Sequence, residues 1–438
     1  MKLIFDVSDK PKAGQLVVFA LQQMLAILAA TIAVPLIIGN GLTPAAAMFG
    51  AGVGTIVYIL FTKRKSPVFL GSSFAFLGSM AAAFAGGVSM QLGMLGLIVG
   101  AFLAGLVYVV IAIVVKFVGV GWLNKLMPAV VIGPTVAIIG LSLAGNAIGD
   151  LVKGDVTKQV TEYAVSTDSG TPEIIETVSN VPVGSSYVAL ICGLITLAVV
   201  MLCSTYGKKT LRLIPFIIGI LAGYAAAAIF TVIGNICDID ALKIVDFSVF
   251  SSYMLTDGSV SLKTFVSLPD FAFVSGLKGL KEFDFSYFAT IFVAYVPVAL
   301  VVFAEHVADH KNLSSIIDHD LLEEPGLTRT LLGDGVGSIA GALFGGCPNT
   351  TYGESVACVA ITGNASVVTI FAAAIGCMLF SFITPLVAFV DSIPACVMGG
   401  VCIALYGFIA VSGLKMIQDA NLDDNRNLFV VSVILIAG

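Results

Sequence analysis

Apolar stretches of about 20 residues, separated by short polar segments, recur along nearly the whole chain. Stretches of this length can cross a membrane as α-helices, because a helix satisfies its own backbone hydrogen bonds. The pattern predicts ten ordinary spans, at residues 14–38, 43–62, 92–118, 126–148, 185–205, 211–234, 286–309, 328–346, 364–389 and 393–413. A thirteenth span begins at Asn427 and reaches only Gly438, about 18 Å of helix against a hydrocarbon core of about 30 Å, so the chain is expected to be truncated within it.

Two further segments, near residues 68–87 and 348–362, depart from the uniform apolar pattern. They contain PVFLGSSFAFLGSM and FGGCPNTTYGESVA, which mix Gly, Ser or Thr with aromatic residues. Each predicts extended backbone that leads into a short helix. Non-helical backbone at membrane depth is tolerated only inside protein or along a cavity, and paired interrupted segments mark the binding site of inverted-repeat transporters.

The positions of these segments favour a two-fold repeat. Gly71 follows Gln22 by 49 residues, and Glu354 follows Glu305 by the same number. Each interrupted segment therefore follows, at a similar distance, a span that contains a polar residue.

Composition agrees with a polytopic membrane protein. Hydrophobic residues make up 58% of the chain and charged residues 11%, with a mean hydropathy of +1.06, whereas soluble domains carry about 25% charged residues. Soluble and nucleic-acid-binding roles are excluded. The eight cysteines include no CxxC pair and are interpreted as small buried hydrophobic residues.

The distribution of charge predicts the orientation. Basic residues at 63–65, 208–212 and 311–329 fall on one side of the membrane if the N-terminus is cytoplasmic. The acidic stretch 150–184 falls on the other side, as the positive-inside rule expects. The first dozen residues lack a signal-peptide cleavage pattern, so the first span is expected to be retained.

The seventh ordinary span ends in the polar sequence FAEHVADHKN. On a helix, Glu305 and Asp309 share one face, and His306 and His310 share a neighbouring face. One interpretation is that the span ends before these residues, which then form a solvated helix end. The other places Glu305 inside the membrane, and its position directly after VALVVFA favours this, because a buried ionisable group usually faces a pathway or a partner.

The two histidines could also belong to a metal site. His306 and His310 have the spacing of a zinc pair, but Glu305 precedes the first histidine and no third ligand is evident in the sequence. We therefore expect no metal.

Glu354 is the second candidate carboxyl group. Thr350, Thr351 and Glu354 resemble a capping box for the following half helix, and a helix N-terminus that faces a cavity is itself a polar binding site. Glu305 and Glu354 would repel each other in a shared pocket of low dielectric constant, so one is expected to hold a proton near neutral pH. The neutral carboxyl could donate to a substrate carbonyl while the ionised one accepts from a substrate N–H.

The motifs together resemble the nucleobase-ascorbate transporter family, also called the second nucleobase-cation symporter family, and within it most closely the bacterial uracil permeases. The resemblance covers nearly the whole chain and rests on LQQMLAILAATIAVPLI, FLGSSFAF, GWLNKLMP, AEHVADH, EEPGLTR, PNTTYGES and VMGGV. It implies an all-α polytopic membrane protein with a seven-plus-seven inverted repeat and a short strand in each of the interrupted spans 3 and 10. It also implies a core domain, residues 1–120 and 286–390, and a gate domain, residues 121–285 and 391–438.

The resemblance also implies a binding site. Glu305 and Glu354 would hydrogen-bond the nucleobase, Phe74 and Gly353 would supply backbone N–H groups, and Tyr352 would line the pocket. Glutamate at position 354 favours uracil, because purine and xanthine-type members typically carry glutamine at the matching position.

Two departures concern proton coupling. The family pattern has a histidine one turn after the first glutamate, whereas this chain has Asp309 there, with His310 shifted by one. Gln23 occupies a position where the pattern can have histidine. Proton coupling is therefore predicted for Glu305, Asp309 and His310 together.

The expected function is uracil import by proton symport across the bacterial cytoplasmic (inner) membrane, without an enzymatic activity or a resident cofactor. Membrane lipid and a second copy, forming a homodimer, are the expected partners. The alternatives are a symporter of xanthine or another nucleobase, coupling to sodium instead of protons, and a passive facilitator of a small polar solute. An anion exchanger of similar fold would need positive charge or bare helix N-termini at the site, whereas this site is acidic.

Overall fold

A computed structural model of the protein describes residues 3–119, 121, 128–166, 173–208, 211, 214–254, 259–418 and 420–437, with only the backbone described for much of 159–180. Most of the GWLNKLMP motif, at 122–127, lies outside the described residues. So do Lys209 and Arg212, which were expected on the cytoplasmic side, and Asp168 of the acidic stretch.

The first half of the chain folds mainly into helices. These are α1 (Ala13–Ile38), α2 (Pro44–Phe61), α3 (Leu77–Ala83), α4 (Met90–Val118), α5 (Ala129–Ser142), α6 (Ala144–Leu151), α7 (Ser186–Tyr206), α8 (Pro215–Cys237), α9 (Ser248–Met254) and α10 (Ala272–Gly276). The strands of this half are β1 (Leu70–Ser72), β2 (Thr157–Ser166) and β3 (Glu173–Pro182).

The second half repeats the arrangement. Its elements are α11 (Phe285–Ile317), α12 (Leu327–Gly345), β4 (Asn349–Thr351), α13 (Gly353–Thr362), α14 (Val367–Phe380), α15 (Thr384–Asp391), α16 (Ala395–Gln418) and α17 (Asn425–Ala437). Across the described residues, eight helical stretches are long and apolar enough to cross a membrane, counting α5 and α6 as one. The predicted polytopic helical architecture is confirmed.

Two predicted spans are broken. The span at 126–148 divides into α5 and α6 at Leu143, and the span at 364–389 divides into α14 and α15. The second break has a clear cause, because Phe382 and Thr384 use their backbone groups to bond Ser267 and Phe265, at 3.0 and 3.1 Å. That pairing interrupts the helix.

The acidic stretch 150–184 contains a β-hairpin. Strands β2 and β3 pair antiparallel, with Thr157 opposite Pro182.

The two interrupted spans meet through their strands. β1 pairs antiparallel with β4, and Gly71 lies opposite Thr350 at the centre of the pair. The pairing is extended by Ser73 N–H, which donates to Pro348 C=O at 2.9 Å. Backbone groups that leave their helices are thus bonded to each other, as the membrane interior requires.

Helices α2 and α12 support the strands in equivalent ways. Thr55 Oγ1 on α2 accepts from Leu70 N–H at 2.9 Å, and Ser338 Oγ on α12 accepts from Asn349 N–H at 3.0 Å. Each strand therefore receives the same kind of support from the preceding helix of its own half, as expected for an inverted repeat.

The same helices contact each other through glycines. A Cβ added to Gly54 would lie 2.8 Å from Gly337 C=O, and one added to Gly337 would lie 2.7 Å from Gly54 C=O. Gly54 and Gly337 are separated by the same number of residues as Gln22 and Glu305. The distance along the chain from Gln22 to Glu305 therefore marks the repeat. The 49-residue spacing fits the repeat approximately, because Gly71 lies opposite Thr350, four residues before Glu354.

The helices pack in two groups. Helices α1, α2 and α4 pack with α11, α12 and α14, whereas α5 to α8 pack with α16, and α17 packs on α5. Fewer contacts join the groups, chiefly from α11 to α5 and from α1 to α8 and α16. The groups resemble the expected core and gate, and their division into two domains stays a prediction.

Tyr352 packs tightly at the strand crossing. Its hydroxyl donates to Ser72 C=O at 2.9 Å, and its N–H donates to Phe69 C=O at 3.2 Å. A Cβ on Gly71 would lie 2.2 Å from the Tyr352 ring, so only glycine fits at this place.

We expect Gly71→Ala to displace the Tyr352 ring and lower the free energy of unfolding by about 1–3 kcal/mol, the usual cost of overpacking. Thermal unfolding of the purified protein measures the effect. Gly78→Ala is the matched control, because nothing lies within 4 Å of a Cβ at that position of the same segment. Equal melting temperatures for the two variants would contradict the prediction.

Asp155 fastens the loop after α6 to the start of α16. Its Oδ1 accepts from Ala395 N–H at 3.1 Å, while its own N–H donates to Ile244 C=O at 3.1 Å. Burial raises the pKa of the Asp155 carboxyl to about 6, although the hydrogen bond from Ala395 opposes this shift.

Because this pKa is raised on folding, the folded state binds the proton more tightly than the unfolded chain. The resulting stability is fully present below the pKa of the unfolded chain, 3.8, and is lost as the pH rises through about 6. The difference corresponds to roughly 3 kcal/mol at most. We expect Asp155→Asn, which is neutral at every pH, to melt above the wild type at about pH 8 and close to it at about pH 4. The exposed Asp423→Asn is the control, and a pH-independent difference would count against the assignment.

Candidate functional site

A cavity of about 420 Å³ lies where the two interrupted spans meet the α5, α8 and α16 helices. This volume is within the range of small-molecule sites. The interrupted spans and α11 contribute its polar wall: Ser73, Phe74, Glu305, Asp309, Thr350, Thr351, Tyr352, Gly353 and Glu354. All five predicted substrate-binding residues therefore line one cavity.

Three carboxyl groups face this cavity. Glu305 and Asp309 are one turn apart on α11, and Glu354 lies in the first turn of α13. All three side chains are partly buried. Among the described residues that line the cavity, there is no Lys, Arg or His, so the site is acidic.

Two helix starts provide hydrogen-bond donors at the same place. Gly353 is the first residue of α13, and Phe74 begins the short 3-10 turn that leads into α3. Amides in the first turn of a helix have no partner within the helix, and the helix dipole makes this end positive. Gly353 is open to the cavity, since an added Cβ would approach only Asp309 Oδ1, at 4.0 Å.

The expected capping box at α13 is not formed. Thr350 and Thr351 belong to β4, and Tyr352 is the N-cap without a side-chain cap bond. Thr351 Oγ1 instead donates to Asp309 Oδ2 at 2.8 Å. The strand takes up the residues that would have capped the helix, and Thr351 orients a carboxyl group of the opposite wall.

The interpretation of FAEHVADHKN as a solvated helix end is wrong. Helix α11 continues without a break to Ile317 and ends at Asp318, which has φ 55°. His306 and His310 are almost fully buried. Glu305 and Asp309 share the cavity face, as predicted, while the histidines occupy the neighbouring face.

The histidines do not line the cavity. Their rings stack with centroids 4.0 Å apart. His310 Nδ1–H donates to His306 C=O at 2.7 Å, and its Nε2 lies 2.6 Å from Tyr58 Oη. His306 Nδ1 lies 2.6 Å from Asp334 Oδ2, a residue that the sequence-based site prediction missed. Its signal was a single acidic residue in the otherwise glycine-rich apolar run LLGDGVGS.

Gln23 has a structural role that its sequence position only hinted at. Its Nε2 donates to Ser355 Oγ, which also accepts from Phe69 N–H at 3.2 Å. This bond joins α1 to both interrupted segments, directly beside Glu354.

The apolar wall of the cavity was not predicted. It comes mainly from Val136, Ile139, Phe216, Leu405, Phe408 and Ile409. In addition, Tyr406 contacts the Phe74 ring edge-on at 5.4 Å. These residues lie in uniformly apolar spans, where the sequence does not distinguish a cavity wall from a lipid-facing surface.

The sequence matches known proteins over its whole length. A model of the Permease family matches residues 14–175 and 169–438. The chain is 36% identical to a uracil permease of Bacillus caldolyticus, covering 100% of this chain and 88% of that protein. It is 33% identical to the uracil permease of Escherichia coli strain K12, covering 99% and 86%.

Solved structures share the fold. The transmembrane domain of a cyanobacterial bicarbonate transporter, BicA, superposes with a TM-score of 0.66 at 13% identity, covering 99% of this chain and 97% of that one. At this identity the similarity concerns the fold alone, an inverted-repeat transmembrane architecture. The sequence matches cover nearly all residues of the chain. They show that the chain is a multi-pass membrane protein that belongs to this permease family, the nucleobase-ascorbate transporter family.

Proposed function

We propose that this protein is a secondary active transporter, and not an enzyme, that imports uracil by proton symport across the bacterial cytoplasmic membrane. The observation that carries the proposal is the acidic cavity at the strand crossing, where three carboxyl groups face two helix N-termini. The similarity to uracil permeases over the full chain supports the choice of substrate.

The polar wall suits a flat ring edged with N–H and C=O groups. Backbone N–H groups of Phe74 and Gly353 would donate to ring carbonyls, while Glu354 and Glu305 would accept from ring N–H groups or donate when protonated. A site of this kind rejects analogues that leave its buried polar groups unpaired. The apolar residues of α5 and α16 would pack against the faces of the ring.

The excess of acidic groups supports proton coupling. Ionising Glu305, Asp309 and Glu354 together in one poorly solvated cavity is costly, because the charges repel each other and no basic side chain is among the described cavity residues. A proton bound at Glu305, with Asp309 one turn away, lowers this cost and accompanies loading of the base. His310 is placed behind the cavity, and its part in proton coupling stays a prediction.

Transport would require the core and gate to move against each other. The polar wall belongs to the predicted core, residues 1–120 and 286–390, and the apolar wall to the predicted gate, residues 121–285 and 391–438. The exposed Asn312 lines the cavity near the end of α11. With a cytoplasmic N-terminus, this end of α11 would face the cytoplasm, and the gate helices would provide the contact for a homodimer within the lipid.

We expect Glu305→Gln and Glu354→Gln to weaken uracil binding by roughly 10- to 100-fold, the effect of losing a hydrogen bond to a charged group. Uptake of labelled uracil into proteoliposomes with an imposed pH gradient measures the change. The exposed Glu323→Gln is the matched control. Competition by other nucleobases tests the substrate, and stronger competition by xanthine than by uracil would reassign it.

Asp309→Asn is expected to retain uracil binding and exchange but to lose accumulation driven by the pH gradient, because the site can no longer change its charge at that position. The control is Asp318→Asn, an exposed aspartate at the end of the same helix. Accumulation that requires sodium, or that persists equally in the Asp309 variant, would overturn proton coupling at this residue. Equilibration without accumulation in the wild type would indicate a facilitator.

A further inference from the structure

His306 and Asp334 form a buried pair that the transport cycle described above does not use. His306 Nδ1 lies 2.6 Å from Asp334 Oδ2, and the two side chains are 0% and 1% exposed. Neither residue lines the cavity. The second carboxyl oxygen, Asp334 Oδ1, has no hydrogen-bond partner among the described residues.

The other imidazole nitrogen locates the proton. His306 Nε2 lies 3.1 Å from Thr330 Oγ1, and Thr330 Oγ1 is positioned to donate to Leu327 C=O at 3.1 Å. When the hydroxyl donates to this carbonyl, it accepts from His306 Nε2–H. A second proton must then lie between His306 Nδ1 and Asp334 Oδ2, because two bare acceptors would repel each other at this distance. The pair is then neutral overall.

The pair also has a satisfied arrangement without this proton. The Thr330 hydroxyl can turn to donate to His306 Nε2, and His306 Nδ1–H then donates to the Asp334 carboxylate. Loss of the proton therefore changes the histidine tautomer and leaves both ring nitrogens bonded. A contact whose only role is to hold α11 against α12 would need just one of these arrangements.

The groups around the His306–Asp334 pair are neutral or acidic, so a proton on the pair is the available positive charge. His310 stacks on His306 and is fully buried, which favours its neutral form. Its Nδ1–H bonds the His306 carbonyl, and in the neutral form its Nε2 accepts from the Tyr58 hydroxyl, which in turn can accept from Ser66. Tyr108 contacts the His306 ring at 6.0 Å, and its hydroxyl has no partner among the described residues.

Glu305 and Asp309 occupy the adjacent face of α11. The groups around the pair are thus carboxyls, phenols and a neutral imidazole. Such surroundings do not supply a fixed positive charge to replace a proton that leaves the pair.

We propose that His306 and Asp334 form a second proton-binding site, which holds one exchangeable proton apart from the cavity carboxyls. When this proton leaves, the pair carries a negative charge next to Glu305 in sequence, and the cavity carboxyls then hold their own proton more tightly. The functional consequence rests on the proposed uracil transport, whereas the proton itself can be observed without substrate.

The first test observes the tautomer. The chain has only three histidines, so ¹⁵N-histidine labelling of the full protein in lipid nanodiscs gives three side chains, and His306→Gln assigns the one of interest. We expect the His306 Nε2 resonance to change from protonated to unprotonated between about pH 5 and about pH 9. An Nε2 resonance that stays protonated throughout would overturn the proposal.

The second test uses Asp334→Asn, whose amide can donate to His306 Nδ1 and so imitates the protonated pair at every pH. At acid pH, we expect the variant to bind uracil within about twofold of the wild type. As the pH is raised, we expect the variant to lose binding at a lower pH than the wild type does. The difference should reach about tenfold, typical of coupling between sites. The exposed Asp318→Asn is the control.

Superimposable pH curves for Asp334→Asn and the wild type would contradict the coupling, as would a folded variant that does not bind at acid pH. If the variant does not fold, the tautomer measurement decides. A wild type that fails to bind uracil at any pH would instead sink the proposed function, and the tautomer change would still be testable.

Discussion

The pairing of β1 with β4 is the interaction on which the rest of the structure depends. Backbone that leaves its helix inside a membrane must find partners within the protein. Here each interrupted span supplies the partners of the other, through three residue pairs centred on Gly71 and Thr350. Because both spans are irregular at the same depth, the 3-10 turn that begins at Phe74 and the start of α13 at Gly353 line a single cavity.

Small and hydroxyl-bearing residues make this crossing sterically and chemically possible. Gly54 and Gly337 let α2 and α12 approach until their backbones touch, which brings Thr55 and Ser338 within reach of the strand amides. In lipid, where apolar burial gives helices little reason to associate, such close packing and hydrogen bonding provide the attraction. The binding site therefore inherits its geometry from helix packing that occurs behind it.

The sequence predicted the features that break the apolar pattern and missed those that keep it. Glu305, Glu354 and the two interrupted segments could be identified because each is costly in a membrane unless it is used. The cavity wall formed by residues such as Phe408 gave no such signal. The capping box failed because Thr351 pairs with β1 as part of β4, and its hydroxyl bonds Asp309 instead of the start of α13. Asp334 was equally visible in the sequence, but its partner lies on another helix.

The fold leaves the choice of substrate to a few side chains. A bicarbonate transporter shares this architecture, and a fold does not by itself determine a function. Helix N-termini alone would favour an anion, because their amides and dipoles attract negative charge. In this chain Glu305, Asp309 and Glu354 stand around those amides and repel an anion. The combination instead suits a neutral ligand that both accepts and donates hydrogen bonds. Because the carboxyls bond this ligand, any change in their protonation also changes the affinity for it.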